Sequence, residues 1–230
     1  MRDRMGREID YLRVSVTDRC NLRCRYCMPG GVPSVEHAEV LRYEELLRLC
    51  GLAAGLGIHA FKVTGGEPLV RRDCMSFLAE LKKLRGVEQV TLTTNGILLP
   101  DHLEALRTAG VDGINVSLDT LDDGLYSSLT GAPPGTAALV WRAAEASAAM
   151  GIHTKLNAVL LPETVEGIVE LTAAADTVPA DIRFIELMPI GAGKGRKGLP
   201  ASEALERLRT RWPDLEPTGE RRGNGPARYY

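Results

Sequence analysis

The 230-residue chain is 44% hydrophobic and 25% charged, an ordinary composition for a folded domain with one substantial core. Its formal net charge of −2 argues against non-specific nucleic-acid binding, so any phosphate recognition must come from local basic residues. Its apolar stretches fall far short of the ~20 residues that span a bilayer, and five cysteines without a secretory leader point to a reducing cytoplasm.

Strand-like runs alternate with helical patterns along the chain. The first strand is predicted over Tyr11–Val16, followed by a helix over Tyr43–Leu56. Strands over His59–Thr64 and Gln89–Thr94 precede helices over Asp73–Leu84 and Pro100–Ala109. A fourth strand, Gly113–Leu118, leads to a helix over Thr136–Met150, and a fifth, Thr154–Leu160, to one over Glu163–Ala175. A sixth strand over Asp181–Leu187 precedes a last helix over Ala201–Arg211. Gly57, Gly86, Gly110 and Gly151 stand where helices should stop. The alternation reads as parallel βα units of an α/β fold, and six units are too few for an eight-stranded barrel. Residues 1–188 form the core by this reading. A Gly/Lys loop, a helix and the start of a further region occupy residues 189–230.

The polar motifs fall at strand ends. Cys20-x3-Cys24-x2-Cys27 follows the first strand and Gly65-Gly66-Glu67-Pro68 the second. Thr94-Asn95-Gly96 ends the third, Ser117 and Asp119 the fourth, and Glu186–Met188 the sixth, while Lys155 and Asn157 lie in the fifth. Ligand sites of parallel βα folds gather at the carboxyl ends of strands, so these motifs should converge on one mouth. Thiolates are the ligands of iron–sulfur clusters, and three of them hold three irons of a cubane and leave the fourth open. A zinc site needs four nitrogen or sulfur ligands, and only His37 lies near enough in sequence to be the fourth. Five cysteines is an odd count for disulfides; Cys50 and Cys74 lie on helical patterns and read as buried thiols. His37, His59, His102 and His153 show no ligand spacing. Gly193-x-Gly195-x-x-Gly198 fits the dinucleotide fingerprint but lies outside a first βαβ unit, so a mobile Gly/Lys loop is the expectation.

The cysteine spacing with Tyr26 before the third cysteine, together with Thr64–Pro68, resembles the signature of the radical S-adenosylmethionine (SAM) superfamily. The match narrows over Arg13–Pro29, Thr64–Asp73, Leu92–Gly96, Ile114–Asp119 and Ile182–Glu186, which resemble the GTP 3′,8-cyclases of molybdenum cofactor biosynthesis. The resemblance implies a partial, six-stranded parallel βα barrel with one 4Fe–4S cluster, its open iron chelating SAM, on Cys20, Cys24 and Cys27. It implies SAM contacts at Tyr26, Gly66, Ser117 and Met188, and GTP contacts at Arg13, Lys62, Thr93 and Lys155. In that family a 5′-deoxyadenosyl radical removes the ribose 3′ hydrogen of GTP, and the sugar carbon attacks C8 of guanine. A flavodoxin- or ferredoxin-type reductant, a homodimer, no nucleic acid and no membrane complete the expected partners.

Two departures accompany the resemblance. Lys62 stands where a well-aligned relative has Arg, keeping the charge but losing the bidentate fork. The family continues into a region whose three further cysteines ligate a second 4Fe–4S cluster, whereas no cysteine follows Cys74 here. The expectation is therefore one cluster in a chain lacking that region. A radical SAM enzyme with another substrate, or a fragment needing a partner chain, are the alternative readings. Arg71, Arg72 and Arg183 share the mouth with Arg13, Lys62 and Lys155; for Arg71 and Arg72 a salt-bridged surface competes with phosphate contact. Arg13 and Lys155 lie inside strand patterns, where a cation needs a partner or a ligand.

Overall fold

The computed structural model describes residues 2–31, 39–220 and 227–230. Among these, β1 (Tyr11–Ser15), β2 (Ala60–Thr64), β3 (Gln89–Thr94), β4 (Gly113–Ser117), β5 (His153–Leu160) and β6 (Ala180–Glu186) form one sheet. The strands are parallel and lie side by side in chain order, with β1 and β6 at its edges. This is the open, six-stranded βα arrangement expected of a partial barrel.

Alternation along each strand sorts the residues into two faces. Val14, Val63, Leu92 and Ile114 pair across neighbouring strands and are buried. They share one apolar core with residues from α1 (Tyr43–Gly55), α2 (Cys74–Lys83), α3 (Leu103–Thr108), α5 (Thr136–Ala149) and α6 (Ile168–Ala175). Burying a leucine or phenylalanine fully is worth about 1.5–3 kcal/mol, so Phe77, Leu78, Leu81 and Leu106 hold the helices on that face. The other face carries polar rows. Arg13 pairs with Lys62 and Lys62 with Thr91; Thr93 pairs with Asn115, Asn115 with Lys155, and Lys155 with Asp181. Ser117, Asn157 and Arg183 form a further row toward the strands' carboxyl ends.

The structure adds an element that periodicity does not predict: α4, Asp123–Thr130. Gly124 and two serines weaken its helical signature, while Asp122 caps its start by accepting from Leu125 N at 2.7 Å. Gly131 closes it in the left-handed region at φ 72°. The helix predicted over Glu163–Ala175 divides into a 3₁₀ segment, Pro162–Gly167, and α6.

Beyond β6, α7 (Ala201–Arg209) packs on the β5–α6 unit through Leu160, Ile168, Leu199, Ala204 and Leu208. The Gly193-x-Gly195-x-x-Gly198 run is not a phosphate cradle opening a helix. A Cβ on Gly193 would strike the Met188 carbonyl, and one on Gly198 the Leu187 side chain, so both glycines serve close packing against the end of β6. No helix among the described residues is long and apolar enough to cross a membrane.

Candidate active site

The cysteine loop leaves β1 and is held on two sides. Toward β2, Val16 N donates to Thr64 O at 2.9 Å, Gly66 N to Thr17 O at 2.7 Å and Glu67 N to Arg19 O at 2.8 Å. Side chains on Gly65 or Gly66 would collide with the carbonyls of Thr17, Asp18 and Arg19, so the loop and the Gly-Gly segment fit only as bare backbone. On the far side, Arg23 N donates to Thr130 O and Arg25 N to Leu129 O, each at 2.8 Å. The carboxyl end of α4 is thus the shelf on which the loop rests.

Within the loop, Cys27 N and Met28 N donate to Cys24 O at 2.9 and 3.0 Å. Burial pushes the Cys24 thiol up to about 12, reinforced by Asp119 and by the charges of Cys20 and Cys27. The charges of Cys20 and Cys27 reach Cys24, so the three thiols lie in one loop neighbourhood. Three thiolates suit three irons of a cubane, whereas a zinc site needs a fourth nitrogen or sulfur ligand. His37, the sequence's fourth zinc candidate, lies outside the described residues.

Two buried carboxylates brace the mouth. Glu67 is fully buried and accepts from Leu69 N at 3.1 Å, Thr94 Oγ1 at 2.8 Å and Asn95 N at 2.7 Å. It ties the end of β2 to the end of β3. Burial raises its pKa while these three donors oppose the shift. Asp119 accepts from Tyr26 Oη at 2.5 Å and from Val159 N at 2.8 Å, tying the loop to β5. Its carboxyl is likewise raised by burial.

On the polar face, burial and then repulsion from Arg183, Arg13 and Lys155 together lower the Lys62 ammonium to about 8. Mutually repelling cations gathered on one face of a sheet are poised for a polyanion. Lys155 is nonetheless partnered: its Nζ lies 2.7 Å from Asp181 Oδ2 and 3.3 Å from Tyr229 Oη. Asn157 contributes an Oδ1 that is buried and has no hydrogen-bond partner among the described residues.

The structure brings Tyr26, Gly66 and Ser117 to the carboxyl edge and Arg13, Lys62, Thr93 and Lys155 to the polar face. Met188 follows β6 and is 59% exposed. Arg71 is withdrawn from the mouth. Its guanidinium donates to the carbonyls of Val16 and of Leu41, the latter at 2.8 Å, and lies 4.1 Å from the centre of the Tyr43 ring. Arg72 is exposed and lies 3.8 Å from Asp73. Both arginines are thus scaffold or surface. His59 sits between Asp10 and Glu88 at the surface, and His153 lies 3.5 Å from Asp181. Asn95 and Asp119 are visible in sequence only as polar residues beside strands; Glu67 and Asn21, and Tyr26 and Val159, which they bond, lie elsewhere along the chain.

A sequence profile of the Radical SAM superfamily matches residues 14–175. The GTP 3′,8-cyclase of Heliobacterium modesticaldum is 45% identical over 244 residues, covering 100% of this chain and 72% of that protein. That of Pelotomaculum thermopropionicum is 41% identical over 236 residues, with the same coverage. Among solved structures, SuiB of Streptococcus suis bound to S-adenosylmethionine superposes with a TM-score of 0.74 at 22% identity. The match covers 89% of this chain and under half, 47%, of SuiB. Native anSMEcpe with bound AdoMet gives a TM-score of 0.68 at 20% identity, over 88% of this chain and 59% of that one. These two likenesses concern the fold.

Proposed function

We propose that this chain, which belongs to the radical SAM superfamily and within it to the GTP 3′,8-cyclases, cleaves SAM reductively and cyclises GTP. The product would be (8S)-3′,8-cyclo-7,8-dihydroguanosine 5′-triphosphate, an intermediate of molybdenum cofactor biosynthesis. The observation that carries the reading is a juxtaposition. A three-thiol loop occupies the carboxyl edge of the same sheet whose polar face gathers Arg13, Lys62, Lys155 and Arg183.

A 4Fe–4S cluster on Cys20, Cys24 and Cys27, with SAM, supplies one-electron chemistry when bound. The chain's residues bind and orient. Gly65 and Gly66 let the cysteine loop close on β2 as bare backbone, and SAM would be held beside it by Gly66, Tyr26 and Met188. Ser117 would offer a hydrogen bond to a ribose hydroxyl, and Asn157, whose buried Oδ1 has no partner among the described residues, stands next to it in the same cross-strand row. Arg13, Lys62, Lys155 and Arg183 neutralise the triphosphate, and Thr93 adds a hydroxyl in the row of Lys155. Holding the ribose against the reacting carbon is the protein's main contribution, because misplacement costs orders of magnitude in rate. A one-electron carrier of flavodoxin or ferredoxin type fits as reductant, and a homodimer as the assembly.

Anaerobic reconstitution tests the reading. About four irons per chain are expected, a single cluster. With dithionite and SAM, chromatography should show 5′-deoxyadenosine and methionine. Calorimetry should show GTP binding at least tenfold more tightly than guanosine. Iron-loaded protein that leaves SAM intact, or binds the two guanine compounds equally, would overturn it.

A further inference from the structure

Asn95 follows β3 and is only 9% exposed, and its side chain is fully engaged. Its Oδ1 accepts from Ile97 N at 3.1 Å, which orients the amide. Its Nδ2 donates to Asn21 Oδ1 at 2.7 Å and lies 3.9 Å from Cys20 Sγ. One amide nitrogen carries two hydrogens, so both acceptors are served by the same group. The Asn95 backbone N–H donates to buried Glu67 at 2.7 Å, so the amide is anchored to the segment bearing Gly65 and Gly66. A second donor, Leu22 N, lies 3.4 Å from the same sulfur. Cys20 therefore has one donor from its own loop and one from a residue 75 positions away.

Hydrogen bonds to cluster sulfurs are among the determinants of reduction potential. They stabilise the form with more negative charge on sulfur, which is the reduced one. We propose that Asn95 is a positioning residue that clamps the Cys20 end of the loop and raises the cluster's reduction potential through its amide contact with Cys20 Sγ. The proposal rests on the reading of Cys20, Cys24 and Cys27 as cluster ligands. It gives Asn95 a task that no contact with SAM or GTP requires. Asn21, which takes the other amide hydrogen without touching the sulfur through Asn95, provides the internal control.

The experiment is a redox titration monitored by electron paramagnetic resonance on anaerobically reconstituted protein, with iron counted separately. Asn95→Ala should keep about four irons, as one cluster requires. At a fixed poise its reduced-to-oxidised ratio should fall about tenfold, equivalent to about 59 mV for a one-electron couple. Asn95→Asp should fall further, because a carboxylate replaces the donor. Asn21→Ala should stay within about threefold of wild type, since the contact with sulfur remains. An unchanged midpoint in iron-loaded Asn95→Ala overturns the proposal. So do equal shifts in Asn95→Ala and Asn21→Ala, which would mark loop displacement. Loss of iron from both Asn95 variants would likewise overturn tuning and leave a purely structural clamp. A wild-type chain that takes up no iron would instead sink the cluster reading, and this proposal with it.

Discussion

Tyr26 Oη donates to Asp119 Oδ2 at 2.5 Å, joining residues 93 positions apart. The other carboxylate oxygen of Asp119 accepts from Val159 N at 2.8 Å, so one buried group bridges the cysteine loop and β5. Burial raises the pKa of both Tyr26 and Asp119, and the short bond is what makes a carboxyl tolerable there. Tyr26→Phe should destabilise the metal-free chain by about 1.5–3 kcal/mol, as expected for a lost hydrogen bond to a charged group. Urea unfolding measures this. A change below about 0.5 kcal/mol would show that the bond contributes little to the fold.

Cys24→Ala should remove the ~400 nm absorbance of reconstituted protein, because two thiolates do not hold a cubane cluster. Cys50→Ala and Cys74→Ala should retain it, since both thiols are buried in the helical core and are held up at about 11 and about 12 by burial. Equal absorbance in Cys24→Ala and wild type would end the ligand assignment.

The fold was legible because βα units write two periodicities into sequence, and each strand lies within a residue or two of its predicted bounds. α4 was not, because Gly124, Ser127 and Ser128 dilute its pattern. That omission hid the support of the cysteine loop, since Leu129 and Thr130 accept its backbone bonds. The cysteines themselves were legible from spacing. The roles of Glu67, Asn95 and Asp119 were not, because each depends on a partner 28 to 93 positions away that only the sheet brings near. Arg71 stayed open between phosphate contact and surface for the complementary reason: its partners, the carbonyls of Val16 and Leu41, are backbone groups that no side-chain pattern announces.

Gly66→Ala should leave the chain folded but weaken SAM binding at least tenfold, about 1.4 kcal/mol. A Cβ there meets the carbonyls of Asp18 and Arg19, and relief requires moving the cysteine loop. Calorimetry on cluster-loaded protein checks this. Wild-type affinity would show that the loop yields without disturbing the SAM site.

Lys155 is shared between Asp181 and the proposed triphosphate, so the two partners compete. Lys155→Ala should weaken GTP by about 1.5–3 kcal/mol while changing guanosine little, the loss of a charge-assisted hydrogen bond. Arg13→Ala should behave alike. Asp181→Asn should hold GTP as tightly as wild type or more so, because it removes a rival anion. Equal losses for GTP and guanosine would move Lys155 away from the phosphates, and weaker GTP binding by Asp181→Asn would refute the competition.

Lys62 gives the site a pH dependence whose sign follows from its surroundings. Burial, then Arg183, Arg13 and Lys155, depress its folded pKa to about 8 from 10.5. Between these values the unfolded chain binds more protons than the folded one, so stability rises with pH across that window. The cost of a buried ammonium is full below pH 8 and relieved above it. Lys62→Met should therefore stabilise the ligand-free chain at pH 7, by an amount that shrinks as pH climbs from 8 to 10.5. Triphosphate binding reverses the preference, because a polyanion favours the charged lysine. GTP affinity should hold steady up to about pH 8 and then fall by at most about tenfold per unit, as expected when one proton is taken up on binding. Lys62→Arg stays protonated throughout and should flatten that decline. Titrations of wild type and Lys62→Arg at pH 7.5, 8.5 and 9 separate the outcomes. A wild-type affinity that is level over this range, or a decline equally steep in Lys62→Arg, would remove Lys62 from the phosphate site.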